Sequence, residues 1–167
     1  PIPSISSYMD IDNYYYKSGT NGLVYHTMLF PCDSLSDKEL QISSLYASSL
    51  TDVGLGSDSY EQIQKYQSSI TGGLSASFIM IPNEDCSEHM LALKVSGKSL
   101  EKNAHLMHEL ILKTVNEANL DDKKRIKELL SFISADNEQS LTQNGHILAM
   151  ANAAAQITPE ASTNDLT

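Results

Sequence analysis

The chain has 167 residues, 11 of them Lys or Arg and 21 Asp or Glu, for a formal net charge of -10. Apolar residues make up 41% and Trp is absent, which suits one domain, or a large piece of one, with a real core. The acidic balance argues against nucleic acid, because phosphate binding needs a Lys/Arg footprint to displace counterions.

The lone arginine, Arg125, ends Lys123-Lys124-Arg125 directly behind Asp121-Asp122, so no polyanion patch is expected. No apolar run approaches the roughly 18–20 residues that span a bilayer, and no leader peptide is visible, so no membrane partner is expected. A start at Pro1 instead of Met reads as that of a cut or processed piece. Cys32 and Cys86 lack C-x-x-C spacing. They read as buried or free thiols in a reducing intracellular compartment, a bacterial cytoplasm or organelle matrix, with one disulfide left open.

In chain order, residues 1–12 are Ser/Pro-rich and read as a linker, residues 13–157 as the domain, and 158–167 as a polar tail. Asn13-Tyr14-Tyr15-Tyr16-Lys17 suggests a short strand, with a pairing across the turn at residues 18–22. Leu23 to Phe30 reads as a strand covered on at least one side and stopped by Pro31. Ser36 and Glu39 have capping-box spacing, and a helix follows through Leu50 towards Gly54. A second helix starts at Ser57-Asp58-Ser59, runs through Tyr60, Ile63, Tyr66 and Ile70, and stops at Thr71-Gly72-Gly73.

Leu74 to Ile81 and His89 to Val95 alternate about a polar turn and predict a hairpin. Glu101 to Ala118 carries a helical stripe of Ala104, Met107, Ile111, Val115 and Ala118. Asp121-Asp122 opens a further helix with Ile126, Leu129, Leu130 and Ile133 as its stripe. A small-residue helix is expected from His146 to Gln156. The order implies an α+β fold, a mainly antiparallel sheet with helices packed on one face.

Chemistry-bearing patterns are sparse. His105-Leu106-Met107-His108-Glu109 looks suggestive, but H-E-x-x-H would need a second imidazole at the position of Leu112, and the inverted H-x-x-E-H order also fails. His105 and Glu109 could form at most a weak surface site; with Glu101 and Lys113 they read as a solvated helix face. His26, flanked by Val24, Met28 and Phe30, reads as a core or edge histidine, His89 as a solvated turn residue, and His146 as a helix-start residue. No G-x-S-x-G or phosphate-binding glycine pattern occurs.

Six segments in order do point somewhere: Thr20-Asn21-Gly22-Leu23-Val24-Tyr25, Leu50-Thr51-Asp52-Val53-Gly54 with Ser59-Tyr60-Glu61, Thr71 through Gly72-Gly73 to Ser77, Val95-Ser96-Gly97-Lys98-Ser99-Leu100, Asp122 to Leu130, and Ser140 through Gly145-His146 to Ala155. Together they resemble the presequence-protease (falcilysin-like) branch of the pitrilysin/insulinase zinc metallopeptidases. The likeness is to the first domain of the non-catalytic C-terminal half. The resemblance implies related α+β domains, as in mitochondrial-processing-peptidase-like metallohydrolases, set as two halves around a chamber where unfolded peptides such as presequences are cut.

It also implies a zinc site, H-x-x-E-H with a downstream Glu, in another domain of the parent. Its counterpart here, Leu45-x-x-Ser48-Ser49, carries no ligand, so no catalytic and no metal-binding residue is expected in this chain and the fragment alone is expected to be inactive. By the same likeness, Gly72, Gly73, Leu74, Ser75, Ala76 and Ser77 lead into a strand whose catalytic-domain counterpart pairs with substrate; here chamber-wall use is the leading expectation. The expected partners are other domains of the same polypeptide and the parent's peptide substrates. The acidic charge could draw basic peptides by its long-range field, or be ordinary solubility charge. Two other classes stand beside this: a free-standing interaction module using a sheet edge, and a small metallohydrolase using His105 and Glu109.

Overall fold

A computed structural model describes residues 2–8, 11–32, 35–83 and 89–136. In chain order it contains strands β1 (Ser4–Tyr8), β2 (Ile11–Tyr15) and β3 (Leu23–Pro31), then helices α1 (Asp37–Leu50) and α2 (Tyr60–Ile70). Strands β4 (Leu74–Pro82) and β5 (His89–Leu100) follow. A 3-10 turn, Glu101–Asn103, leads into α3 (Ala104–Glu117), and residues 123–136 form α4. The small-residue helix expected at His146–Gln156, the segment from Ser140 to Ala155 and the tail at 158–167 lie outside the described residues.

The local signals act where the sequence puts them. Ser36 is the N-cap of α1, and the Glu39 carboxylate accepts from its backbone N–H at 2.8 Å and its Oγ at 2.6 Å. These bonds favour the ionised carboxyl and hold Glu39 below its usual range. Ser59 caps α2 in the same way, its N–H donating to Gln62 Oε1 at 2.8 Å. Each cap satisfies donors that the first helical turn leaves without an intrahelical partner.

The sheet order is β3-β5-β4, antiparallel throughout, with Met28 opposite Val95 and Val95 opposite Ala76. This register puts Val24, Met28 and Phe30 of β3, Leu93 and Val95 of β5, and Leu74, Ala76 and Phe78 of β4 on one face. Helices α1 and α3 cover that face and add Ala47, Leu50, Met107 and Ile111 to a common core. Full burial of a side chain the size of Leu50, Met107 or Ile111 contributes about 1.5–3 kcal/mol over an exposed one. A second cluster, Leu55, Ile63, Ile70 and Leu110, joins α2 to α3. The architecture is α+β, as expected.

Three local expectations change. Within the 1–12 segment read as a linker, residues 4–8 form a strand, and β2 pairs back onto it, Ile5 opposite Tyr14, instead of across the turn at 18–22. The reason is the face that each strand offers. Every residue of β2 is exposed, whereas β3 has a half-buried alternating face that gains its cover only beside β5. The third change is in α4, where Leu129 is buried and Ile126 and Ile133 are half-buried, but Leu130 is 42% exposed and leaves the stripe.

The other face of the main sheet has no helix over it among the described residues: Tyr25, Leu29 and Met90 are exposed there beside Lys94 and Lys98. The β1–β2 ribbon makes its own two-stranded sheet and leaves Ile5, Ile11, Tyr14 and Tyr15 open to solvent. A two-stranded ribbon is marginal by itself in water.

Candidate functional site

The segment that the resemblance aligns with a zinc motif lies in the C-terminal half of α1. Leu45 is half-buried, Ser48 is exposed and Ser49 is buried. Both hydroxyls are spent locally: Ser48 Oγ donates to the Leu45 carbonyl at 3.1 Å and Ser49 Oγ to the same oxygen at 2.7 Å. Such back-bonding satisfies a serine inside a helix. An aliphatic side chain and two engaged hydroxyls do not fit Zn2+, which takes imidazole, thiolate or carboxylate. Among the described residues no group of three or more His, Cys, Asp and Glu is placed to hold a metal ion.

Gly72 to Ser77 form the entry to β4, an edge strand of the main sheet among the described residues. Gly72 N–H donates to the Lys98 carbonyl at 2.7 Å, and a Cβ on Gly72 would stand 2.9 Å from Lys98 Cε. Gly73 has φ +110°, a backbone region open to glycine and strained for other residues. Leu74 and Ala76 point into the core, while Ser75 and Ser77 are exposed. Among the described residues no strand pairs with the outer side of β4, the kind of edge to which an extended chain can add.

Glu101, His105, Glu109 and Lys113 are all exposed, a solvated face of the helical segment. His26 is half-buried on β3 and meets His108 of α3, ring centroids 5.1 Å apart. Burial, reinforced by the facing His108, holds His26 below the ordinary imidazole range. Spacing within the sequence gives no hint of this pair, because 82 positions separate its members. His146 and Cys86 lie outside the described residues, and Cys32 is half-buried with Sγ 3.3 Å from the Phe30 carbonyl oxygen.

Arg125, which composition marks only as the lone arginine, is a tertiary clamp. Its Nε donates to the Asp52 carbonyl at 2.8 Å, and Cζ stands 3.6 Å above the Tyr60 ring centre. This binds α4 to the α1–α2 connection and to the start of α2.

A family model described as peptidase M-16C associated matches residues 4–167. The mitochondrial presequence protease of Danio rerio is 30% identical over 148 residues, covering 88% of this chain and 14% of that protein. The mitochondrial presequence protease of Yarrowia lipolytica is 27% identical over 154 residues, covering 88% of this chain and 15% of its own length. Presequence protease 1, chloroplastic/mitochondrial, of Arabidopsis thaliana is 28% identical over 136 residues, 79% of this chain and 12% of that protein. The segments singled out in the sequence point to the same group, and the chain spans about one-seventh of these relatives, 14% in the first case. The chain belongs to the peptidase M-16C associated family.

Proposed function

We propose that this chain is a non-catalytic domain of a zinc-dependent endopeptidase that degrades unfolded peptides such as presequences. Its role is to wall the substrate chamber and to bind other domains of the same polypeptide. The observation that carries this reading is apolar surface without cover among the described residues: Ile5, Ile11, Tyr14 and Tyr15 on the ribbon and Tyr25 and Leu29 on the open sheet face. Exposed patches rimmed by polar residues mark interaction sites. A chain that corresponds to 14% of a presequence protease has other domains available to cover them.

In this reading the zinc is bound outside the chain, in the parent enzyme. The edge of β4 from Gly72 to Ser77 borders the chamber, where a peptide in extended form could add to the sheet. The names of the relatives place them in mitochondria or chloroplasts, which favours an organelle matrix for the parent here. The edge position of β4 also suits the second reading, a free-standing interaction module.

Two measurements separate these readings. Incubated with Zn2+ and an unstructured basic peptide, the 167-residue chain should leave the peptide intact; cleavage that a chelator stops would overturn the non-catalytic role. The open reading frame that encodes the chain should also contain H-x-x-E-H upstream. Start and stop codons at these two termini would instead support the module.

A further inference from the structure

His26 lies on β3 between Val24 and Met28, on the side of the sheet that faces the helices. Its partner across the ladder is Gly97 of β5. The absent side chain at Gly97 lets α3 settle close to the sheet, since a Cβ there would stand 3.0 Å from Met107 Sδ. Met107 is fully buried at this contact, and the next residue along α3, His108, is thereby brought beside His26. The rings meet edge to face, with centroids 5.1 Å apart and planes inclined by 67°.

We infer that His26 and His108 form a two-imidazole chelate for a borderline divalent transition-metal ion, of the Ni2+ or Zn2+ kind, which ties α3 to β3. With the metal about 2.1 Å from each nitrogen, and so about 3.2 Å from each ring centre, two imidazoles around a tetrahedral ion have centroids roughly 5 Å apart. The observed 5.1 Å separation is of that size, and a turn of the His108 ring from the edge-to-face contact brings a nitrogen to the shared point. His108 is exposed, and the broad χ2 well of histidine lets its ring turn a nitrogen towards the shared point.

A ligating imidazole must be neutral, and the environment of His26 favours its neutral form. With two protein nitrogens, the remaining coordination positions belong to water. Imidazole ligands select Ni2+, Cu2+ and Zn2+ over Mg2+ and Ca2+. The site uses neither the Leu45–Ser49 segment of α1 nor β4, and it stands or falls separately from the peptidase-domain reading.

Thermal unfolding of the untagged 167-residue chain, followed by far-UV circular dichroism, tests it. Excess NiCl2 or ZnCl2 should raise Tm by about 4 °C or more, because an ion that binds the folded state shifts the equilibrium by mass action. MgCl2 should not, and EDTA should reverse the shift. His108→Gln alters an exposed side chain and should abolish the shift with the fold intact, and His26→Gln should do the same. His105→Gln should leave it unchanged. No shift with either ion, or a shift that survives in His108→Gln, would overturn the chelate.

Discussion

Replacing Arg125 should loosen α4 far more than its place in a run of surface cations suggests. The guanidinium is held from three sides. Nε donates to the Asp52 carbonyl at 2.8 Å, the planar group lies 3.6 Å over the Tyr60 ring centre, and Nη1 approaches Glu128 at 3.5 Å. A hydrogen bond from a charged donor contributes about 1.5–3 kcal/mol. A cation over a partly desolvated ring adds about 1–2 kcal/mol. The Glu128 side chain is 46% exposed, so that ion pair adds about 0–1 kcal/mol at most. These contacts share one group and are not additive, and Arg125→Ala should therefore cost about 2–4 kcal/mol.

Arg125→Lys tests the geometry. An ammonium keeps the charge but cannot lie flat on Tyr60 and donate sideways to Asp52 at once, so it should recover less than half of the loss. Glu128→Gln should be nearly silent. Urea unfolding read by far-UV circular dichroism supplies the free energies, since the chain has no Trp for fluorescence. Stability of Arg125→Lys within about 0.5 kcal/mol of the parent would refute the clamp, that being the spread of ordinary surface substitutions. So would a Glu128→Gln cost equal to that of Arg125→Ala.

Three further outcomes follow from the packing. Gly97→Ala should cost about 1–3 kcal/mol in urea titrations, because its Cβ meets the ends of the Leu74 and Met107 side chains, which can rotate partly away. Gly54→Ala should cost more than Gly97→Ala by the same measurement, because its Cβ meets the Asp58 backbone carbonyl, which cannot rotate away. Met107→Ala should cost about 2–5 kcal/mol, as a fully buried side chain leaves a cavity between α3 and the sheet. The folded-state pKa of His26 lies below its ordinary 6.5, so the unfolded chain takes up the proton first. Its contribution is complete above pH 6.5 and is lost as pH falls through the folded value. Urea midpoints between pH 5 and 7 should fall with acid more steeply in the parent than in His26→Gln, and equal slopes would refute this.

Much of the secondary structure was legible because its causes lie within a few residues. Ser36 with Glu39 closes a cap across one helical turn, and the second helix start read at Ser57-Asp58-Ser59 contains its N-cap, Ser59. The alternation from Leu74 onward and again after His89 matches the pleat of the hairpin that those strands form. The strand at Ser4–Tyr8 was not legible, because its serines carry no apolar face, and the ribbon leaves Ile5, Ile11, Tyr14 and Tyr15 exposed.

By itself, then, the sequence determined the family and, from β3 onward, the local elements among the described residues: caps, alternation and helical stripes follow from neighbours one turn or one pleat apart. Tertiary structure decided what those elements meet. It placed β3 beside β5, turned Leu130 outward, laid Arg125 over Tyr60 and set His26 against His108. The physical reason is that residues far apart in the chain become neighbours only when the apolar faces of strands and helices are buried together. A glycine such as Gly97 then sets how closely those faces approach.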